Sequence, residues 1–308
     1  MPTRKRKRPS KAGTRVSNVV PFSVREFFAR FPDDDACLKH VMEVRYGLKN
    51  VCEKCGADST FHKLEKRPAY SCAHCGAHVY PCAGTIFQDS HTPLQTWFYA
   101  IYQFVITRHG VSGKELQRSL GVTYKTAWRI GHQIRTLIEG ILDFSQIQGH
   151  VEIDEAYIGG HRTGKRGRGA EGKTIVVGVK ERGGDLRTKV VPNAKRETLR
   201  ALVKETVAPG SIVSSDEFVS YGLLVPDGFK HGAVRHGAGE FAFYDEENGV
   251  VHHTNSVENF WNLFKNSVKS THIHISKKYM EKYLAEFTFR SNRRQMQNAM
   301  FDLLIGAV

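Results

Sequence analysis

The spacing of apolar residues changes several times along the chain. Residues 22–48 carry Phe22, Phe27, Phe28 and Phe31, then Leu38, Val41 and Val44, which predicts a short helical lead-in. Residues 93–143 repeat apolar positions at helical spacing. Residues 149–216 turn instead to short Val/Ile-rich runs broken by glycine, the pattern of strands. From residue 255 to 307 the helical period returns. A cluster of cysteines, residues 50–82, lies between the first two helical stretches, and no repeat of 20 to 50 residues is apparent. The order is a small metal module, a helical module, then strands followed by helices, which predicts a mixed α/β domain in the second half. The boundaries read from this pattern are a basic tail at 1–21, a lead-in with a cysteine module at 22–88, a helical module at 89–146 and the α/β domain at 147–308.

Composition sharpens the picture. The chain has 308 residues, 40% of them hydrophobic, enough for two or three units with real cores. No window approaches 18 uninterrupted apolar residues, so a membrane span is not expected. The basic N-terminus is not followed by an apolar stretch, so it does not read as a secretory signal. A cytoplasmic, nucleoid-associated protein without a membrane partner is expected. The formal net charge is +14, which points to a polyanionic partner, nucleic acid first among them. Seven of residues 1–15 are Lys or Arg. That segment cannot bury a core and reads as disordered, either a DNA-contacting arm or a solubilising tail.

All six cysteines lie in the first third of the chain. Cys52-Glu-Lys-Cys55 and Cys72-Ala-His-Cys75 form two C-x-x-C pairs separated by sixteen residues, each followed by glycine, Gly56 and Gly76. Each pair puts two thiolates on one knuckle, and two pairs complete a tetrahedral shell, so one structural Zn²⁺ is expected. His62, His74 and His78 are then surface residues, and Cys37 and Cys82 packed or partly exposed thiols. In the helical module, Leu116-Gln-Arg-Ser-Leu120-Gly121-Val122-Thr123 reads as helix, turn and second helix, with Gly121 at the helix end and Thr123 as the next cap. The second helix buries Ala127, Ile130, Ile134 and Leu137 and carries Tyr124, Lys125, Thr126, Arg129 and Arg135. Such a pair resembles a helix-turn-helix, and Tyr124, Lys125, Thr126 and Arg129 are the candidates for contact with DNA. An ordinary pair of packed helices is the alternative.

Three places in the second half carry candidate acids, two in strands, where propensity disfavours a carboxylate, and one in a helix. Val151-Glu152-Ile153-Asp154-Glu155-Ala156-Tyr157-Ile158 reads as a strand, and its alternation leaves open whether Asp154 or Glu155 matters. Ser211 to Glu217 is a second short strand that ends in acids, including Asp216. From Ser256 to about Ser270 a helix is predicted with Val257, Phe260, Trp261, Phe264 and Val268 on one face. Glu258, Asn262, Lys265 and Lys269 lie on the other. Glu258 and Lys265 are seven apart and project within about 20° of one another. Two acids from strand ends and one from a helix can hold two Mg²⁺ or Mn²⁺ ions for phosphoryl displacement; three unrelated surface acids are the alternative. The segment Gly159 to Gly169, with Lys165, Arg166 and Arg168, reads as a mobile basic loop able to close on phosphate, or as a disordered insertion.

Taken together, Val151-Glu-Ile-Asp-Glu-Ala-Tyr-Ile-Gly-Gly160, Ser214-Ser-Asp-Glu217, His253-Thr-Asn-Ser-Val-Glu-Asn-Phe-Trp261 and Glu286-Phe-Thr-Phe-Arg-Ser-Asn-Arg-Arg294 resemble the insertion-sequence transposases with an N-terminal zinc ribbon and a DDE domain of the ISXO type. Ala83-Gly-Thr-Ile-Phe87 and Pro93-Leu-Gln-Thr-Trp97-Phe98 resemble the segment after that family's ribbon. The resemblance runs from about residue 22 to the end. It implies an RNase H-like fold and catalytic acids at Asp154, Asp216 and Glu258. Lys265 stands where the family has a basic residue seven positions after the third acid. Some members use asparagine as third acid, and Asn255 lies three residues before Glu258 and could assist. The implied reaction is strand cleavage at the element's ends followed by strand transfer into target DNA, by a homodimer or larger assembly on double-stranded DNA. His252, His253, His272 and His274 are expected at helix ends or on the surface. The competing classes are a DNA-binding regulator or inactivated transposase, a structure-selective nuclease on the same core, and a zinc-ribbon transcription component, which would leave residues 150–308 unexplained.

Overall fold

The computed structural model describes residues 22–159, 172–216 and 227–308. Two helices open it, α1 (Val24–Arg30) and α2 (Asp34–Arg45). Ser23 and Glu26 form a reciprocal capping box on α1, and Asp33 accepts the Ala36 amide of α2 at 2.8 Å. Four short strands follow, β1 (Lys49–Val51), β2 (Asp58–Lys63), β3 (Tyr70–Cys72) and β4 (His78–Val79), antiparallel and in chain order. Their small core, Phe61 and Tyr70 with Cys52 and Cys72, leans on Leu38 and Met42 of α2.

Three helices come next, α3 (Leu94–Ile106), α4 (Gly113–Leu120) and α5 (Tyr124–Gly140). Gly121 ends α4 in the left-handed region, φ 65°, and the Thr123 hydroxyl accepts the Thr126 amide at 3.2 Å to start α5. The helix, turn and helix predicted from sequence are thus present, with Ala127, Ile130 and Ile134 buried as the pattern requires.

The second half is built on a five-stranded mixed sheet. Its strands are β5 (His150–Ile158), β6 (Thr174–Glu181), β7 (Leu186–Val191), β8 (Ile212–Asp216) and β9 (Lys230–Val234), in the order β7-β6-β5-β8-β9. The first three run antiparallel; β8 joins β5, and β9 joins β8, in parallel. Helix α6 (Arg196–Thr206) supplies the crossover between β7 and β8. The hairpin β10 (Phe243–Asp245) and β11 (Val250–His252) precedes α7 (Asn255–Ser267), α8 (Met280–Arg293) and α9 (Gln297–Gly306). Odd positions of β5, Val151 and Ile153, share a core with Leu199 and Val203 of α6. Even positions, Ala156 and Ile158, share one with Val257, Trp261 and Phe264 of α7. With helices on both faces, β5 and β6 bury both sides, so the acids of β5, Glu152 and Glu155 among them, are carried into the interior.

The last two helices tie the halves together. Phe301 and Leu304 of α9 enter the front-end core, where the Phe31 and Phe301 rings lie 5.5 Å apart. Glu286 of α8 is fully buried between Arg135 of α5, at 2.7 Å, and Arg290, at 2.6 Å. Burial alone would raise its carboxyl, but the two guanidinium groups hold it below the ordinary carboxylate range. Arg135 therefore belongs to the interior; the basic character of its helix on paper does not place it on the surface. Among the described residues no helix is long and apolar enough to cross a membrane.

Candidate metal centres and the acidic site

The two C-x-x-C pairs form twin knuckles. Gly56 and Gly76 both adopt φ 69°, and their amides donate to the carbonyls of Cys52 and Cys72 at 2.8 and 2.9 Å. The ligand sulfurs of Cys52, Cys55, Cys72 and Cys75 all lie within 4.8 Å of one another, and Cys52 Sγ is 3.8 Å from Cys75 Sγ. A tetrahedron of sulfurs about 2.3 Å from a central zinc has edges of roughly 3.8 Å, so the set fits that ion. Hydrogen bonding from Ser59 and from backbone amides pulls the Cys72 thiol down to about 6, toward the thiolate a metal requires. His62, His74 and His78 are exposed and stand outside the set. Cys37 is buried, with its thiol pushed up to about 12, and Cys82 is half-buried.

The acidic site forms on the α7 side of the sheet. β5 and β8 pair in parallel with His150 opposite Ile212 and Glu152 opposite Ser214. Asp154 and Asp216 each lie two residues beyond the last of these pairs, and two residues along a strand return to the same face of the sheet. Opposite Asp154 on β6 is Gly178. A Cβ there would come within 2.9 Å of Trp261 and 3.0 Å of Val257, so the glycine lets α7 lie close over the sheet. The helix carries Glu258 and Lys265 toward the same place. Burial, then the charges of Glu155, Asp216 and Glu258, push the Asp154 carboxyl up to about 8, while Lys265 opposes them. The three predicted acids and the lysine therefore share one electrostatic environment, rich in negative charge and suited to a cation. They are not gathered as tightly as the thiols: among the described residues only the cysteines form a set of three or more ligands within 4.8 Å. Glu258 is held by the Thr254 hydroxyl at 2.5 Å, with His236 Nε2 at 3.4 Å. Asn255 is exposed at the start of α7.

Sequence reasoning missed what fixes α7. Glu152, fully buried two residues before Asp154, accepts the amides of Ser256 and Val257 at 2.7 and 3.2 Å and the Ser256 hydroxyl at 3.0 Å. A carboxylate from the sheet thus caps the helix that carries Glu258 and meets its positive dipole end. Arg182 Nε, at 3.0 Å, and His253 Nδ1, at 3.1 Å, complete its shell. Glu152→Gln should lower stability by roughly 2–4 kcal/mol in urea unfolding, because Arg182 would face a neutral partner in a buried site. A change below about 0.5 kcal/mol would mean that α7 is anchored elsewhere.

The histidines need one correction. His252 is not at the surface: it is buried, with Nδ1 2.8 Å from Ser214 Oγ and Nε2 3.3 Å from Asp245. His150 reaches the same hydroxyl at 2.7 Å. Room for the His252 ring comes from Gly232 on β9, where any Cβ would collide with it. This network pins β11 to β8, next to Asp216.

Of the predicted DNA contacts, Lys125 is exposed. Tyr124 is exposed with Lys114 Nζ 4.8 Å from its ring centroid. Thr126 hydrogen-bonds within its helix cap, and Arg129 lies across the Trp97 ring at 5.4 Å. Lys269 is exposed just beyond α7. Lys165, Arg166 and Arg168 lie outside the described residues.

A four-thiolate ribbon thus stands ahead of an acidic grouping on a mixed sheet. Residues 32–78 match the transposase zinc-ribbon domain and residues 146–292 the ISXO2-like transposase domain. A Haemophilus influenzae protein described as an uncharacterized transposase-like protein is 33% identical over 111 residues, 36% of this chain and 84% of that protein. A Halobacterium salinarum protein described as an uncharacterized protein in the transposable element ISH50 is 28% identical over 267 residues, 80% of this chain and 87% of that one. The chain belongs to the ISXO2-like transposase family.

Proposed function

We propose that the chain binds the ends of its insertion sequence, cleaves DNA there and joins the freed 3′-hydroxyl to a target strand. The observation that carries this reading is the grouping of acids from two adjacent parallel strands and one helix: Asp154 and Asp216, each two residues beyond the last β5–β8 pair, with Glu258 and Lys265 acting on the Asp154 carboxyl, which is raised. Perturbed acids in such a grouping mark functional sites. Asp154, Asp216 and Glu258 would hold Mg²⁺ or Mn²⁺. When bound, such ions supply an activated oxygen nucleophile and neutralise charge on the leaving oxygen.

The chain's own residues set the geometry. Asp154 and Asp216 sit on adjacent central strands, which hold them rigidly. Glu152 fixes the start of α7, and Thr254 orients Glu258. In this reading Lys265 meets a phosphate near the scissile bond. The sheet-and-helix arrangement is consistent with an RNase H-like core. In this reading residues 1–21 are an arm, 22–88 and 89–146 hold DNA, and 147–308 perform the chemistry. The start of α5, with Tyr124 and Lys125, enters the major groove as the second helix of a helix-turn-helix. Lys165, Arg166, Arg168 and Lys269 add phosphate contacts, and two copies act together because two ends must be cut.

The test uses purified chain, Mg²⁺, a labelled duplex carrying the end of the element that encodes it, and a target duplex. Metal-dependent nicking at the end plus joined product is expected. Binding with neither nick nor joint would move the chain to the class of DNA-binding regulators.

A further inference from the structure

Beyond Glu258 and Lys265 the backbone of α7 departs from regularity twice in succession. Residues Val268–His272 form a π-helical turn, and Ile273 follows with φ 62° and ψ −48°. The His274 amide closes on the His272 carbonyl at 2.6 Å, a γ-turn of the strained, positive-φ kind. For a β-branched residue this conformation is costly. No burial compensates: Ile273 is 74% exposed. A strained backbone that holds an apolar side chain out in water marks a functional element.

Ile273 stands on the rim of a groove of about 460 Å³ between this turn and the first half of α5. The size is within the roughly 300–1,000 Å³ of ligand sites. Its wall is aromatic. Trp128 is 37% exposed, its ring centroid 3.9 Å from His132 and 5.5 Å from Tyr279. His132 lines the groove at 7% exposure, and its Nδ1 has no hydrogen-bond partner. Burial, with Arg135 and Lys282 beyond it, holds the imidazole neutral, its pKa down to about 4. It is therefore a hydrogen-bonding group, not a phosphate contact. Positive charge edges the groove: Lys114 over Tyr124, Arg118 in the lining and Lys278 over Tyr279. The carboxylate of Glu115 is engaged in the cap of α4 through the Ser112 amide, at 2.7 Å.

We propose that this groove receives a single nucleobase swung out of the DNA duplex and that Ile273 enters the stack in its place. The inference rests on the transposase reading and adds to it a base-extrusion site. Aromatic faces accept any base by stacking, and apolar wedges inserted between base steps unstack them. The groove lies beyond the end of the helix that carries Glu258 and Lys265, so an unstacked base here would fix the strand as it leaves the acidic site.

The experiment scans the element-end duplex one position at a time, with 2-aminopurine as a fluorescent base and, separately, with an abasic site, against wild type, Trp128→Ala and Ile273→Gly. Glycine accepts φ 62° without strain, so Ile273→Gly should melt at or above the wild-type temperature while nicking the intact duplex about tenfold more slowly. An abasic site at one position should restore its rate to near wild type, because no base then needs to be unstacked. At that same position 2-aminopurine should brighten on binding to Trp128→Ala, where the stacking partner that quenches it is gone. Wild-type nicking with flat fluorescence at each position in the variant, or an Ile273→Gly rate equal to wild type, overturns the proposal and leaves the transposase reading intact. Failure of the wild type to bind and nick the end would sink both.

Discussion

Asp154→Asn is expected to lower strand cleavage at the element end by on the order of a thousandfold or more while leaving DNA binding close to wild type. The change is nearly isosteric, so it removes charge without opening a cavity. The same substitution should alter stability in a direction that a purely structural acid would not show. In the metal-free chain the Asp154 carboxyl is raised from the ordinary aspartate range to about 8 by burial and by Glu155, Asp216 and Glu258. A group raised on folding contributes stability that is fully present below its unfolded pKa, about 4, and is lost as the pH climbs through 8. Metal-free wild type should therefore melt at progressively lower temperature from about pH 4 to 8, and Asp154→Asn should flatten that slope. Mg²⁺ should raise the wild-type melting temperature at pH 8, where the carboxylates are ionised, and do little for the variant. Thermal melts at several pH values, with and without Mg²⁺, beside a nicking assay, check both halves. Cleavage within tenfold of wild type would remove Asp154 from the chemistry.

What could be read from sequence was what is local. The zinc knuckles follow from two-residue spacing and a glycine, so their geometry is written in five consecutive residues each time. The helix, turn and helix at 113–140 follow from Gly121 and Thr123 in the same way. That the acids could meet was an expectation, but the route was not legible: it runs through a parallel pairing of β5 with β8, Glu152 opposite Ser214, between segments 62 residues apart in sequence. Alternation put Glu152 on the same face as Asp154, yet its role depends on which helix starts above it. His252 was misplaced because the space for its ring is made by Gly232, on another strand. Arg135 and Glu286 are 151 residues apart, and no local pattern announces a buried ion pair. Trp128 did leave a trace, a tryptophan off the buried stripe of Ala127, Ile130 and Ile134, four residues from both Tyr124 and His132.

Zinc removal should have the largest effect on structure. The ribbon's strands are 3, 6, 3 and 2 residues long, too short to hold one another in water. Of the six buried residues in its core, Cys52 and Cys72 are themselves candidate ligands, and Leu38 and Met42 belong to α2. That leaves Phe61 and Tyr70, far too little apolar area to offset the entropy of ordering some thirty residues. The metal must supply the difference, and structural zinc in such sites contributes about 10–16 kcal/mol near pH 7. Elemental analysis should therefore find one zinc per chain, and chelation should open residues 49–79 to protease while the mixed sheet stays closed. Leu38 and Met42 would lose their cover, so α2 should fray with the ribbon. Cys72→Ser should give the same cleavage pattern without chelator, because a serine hydroxyl does not replace a thiolate in the shell. A chain that carries no zinc and still resists protease across 49–79 would show that the four cysteines are packed thiols, and the close match of their spacing to a sulfur tetrahedron would be coincidence.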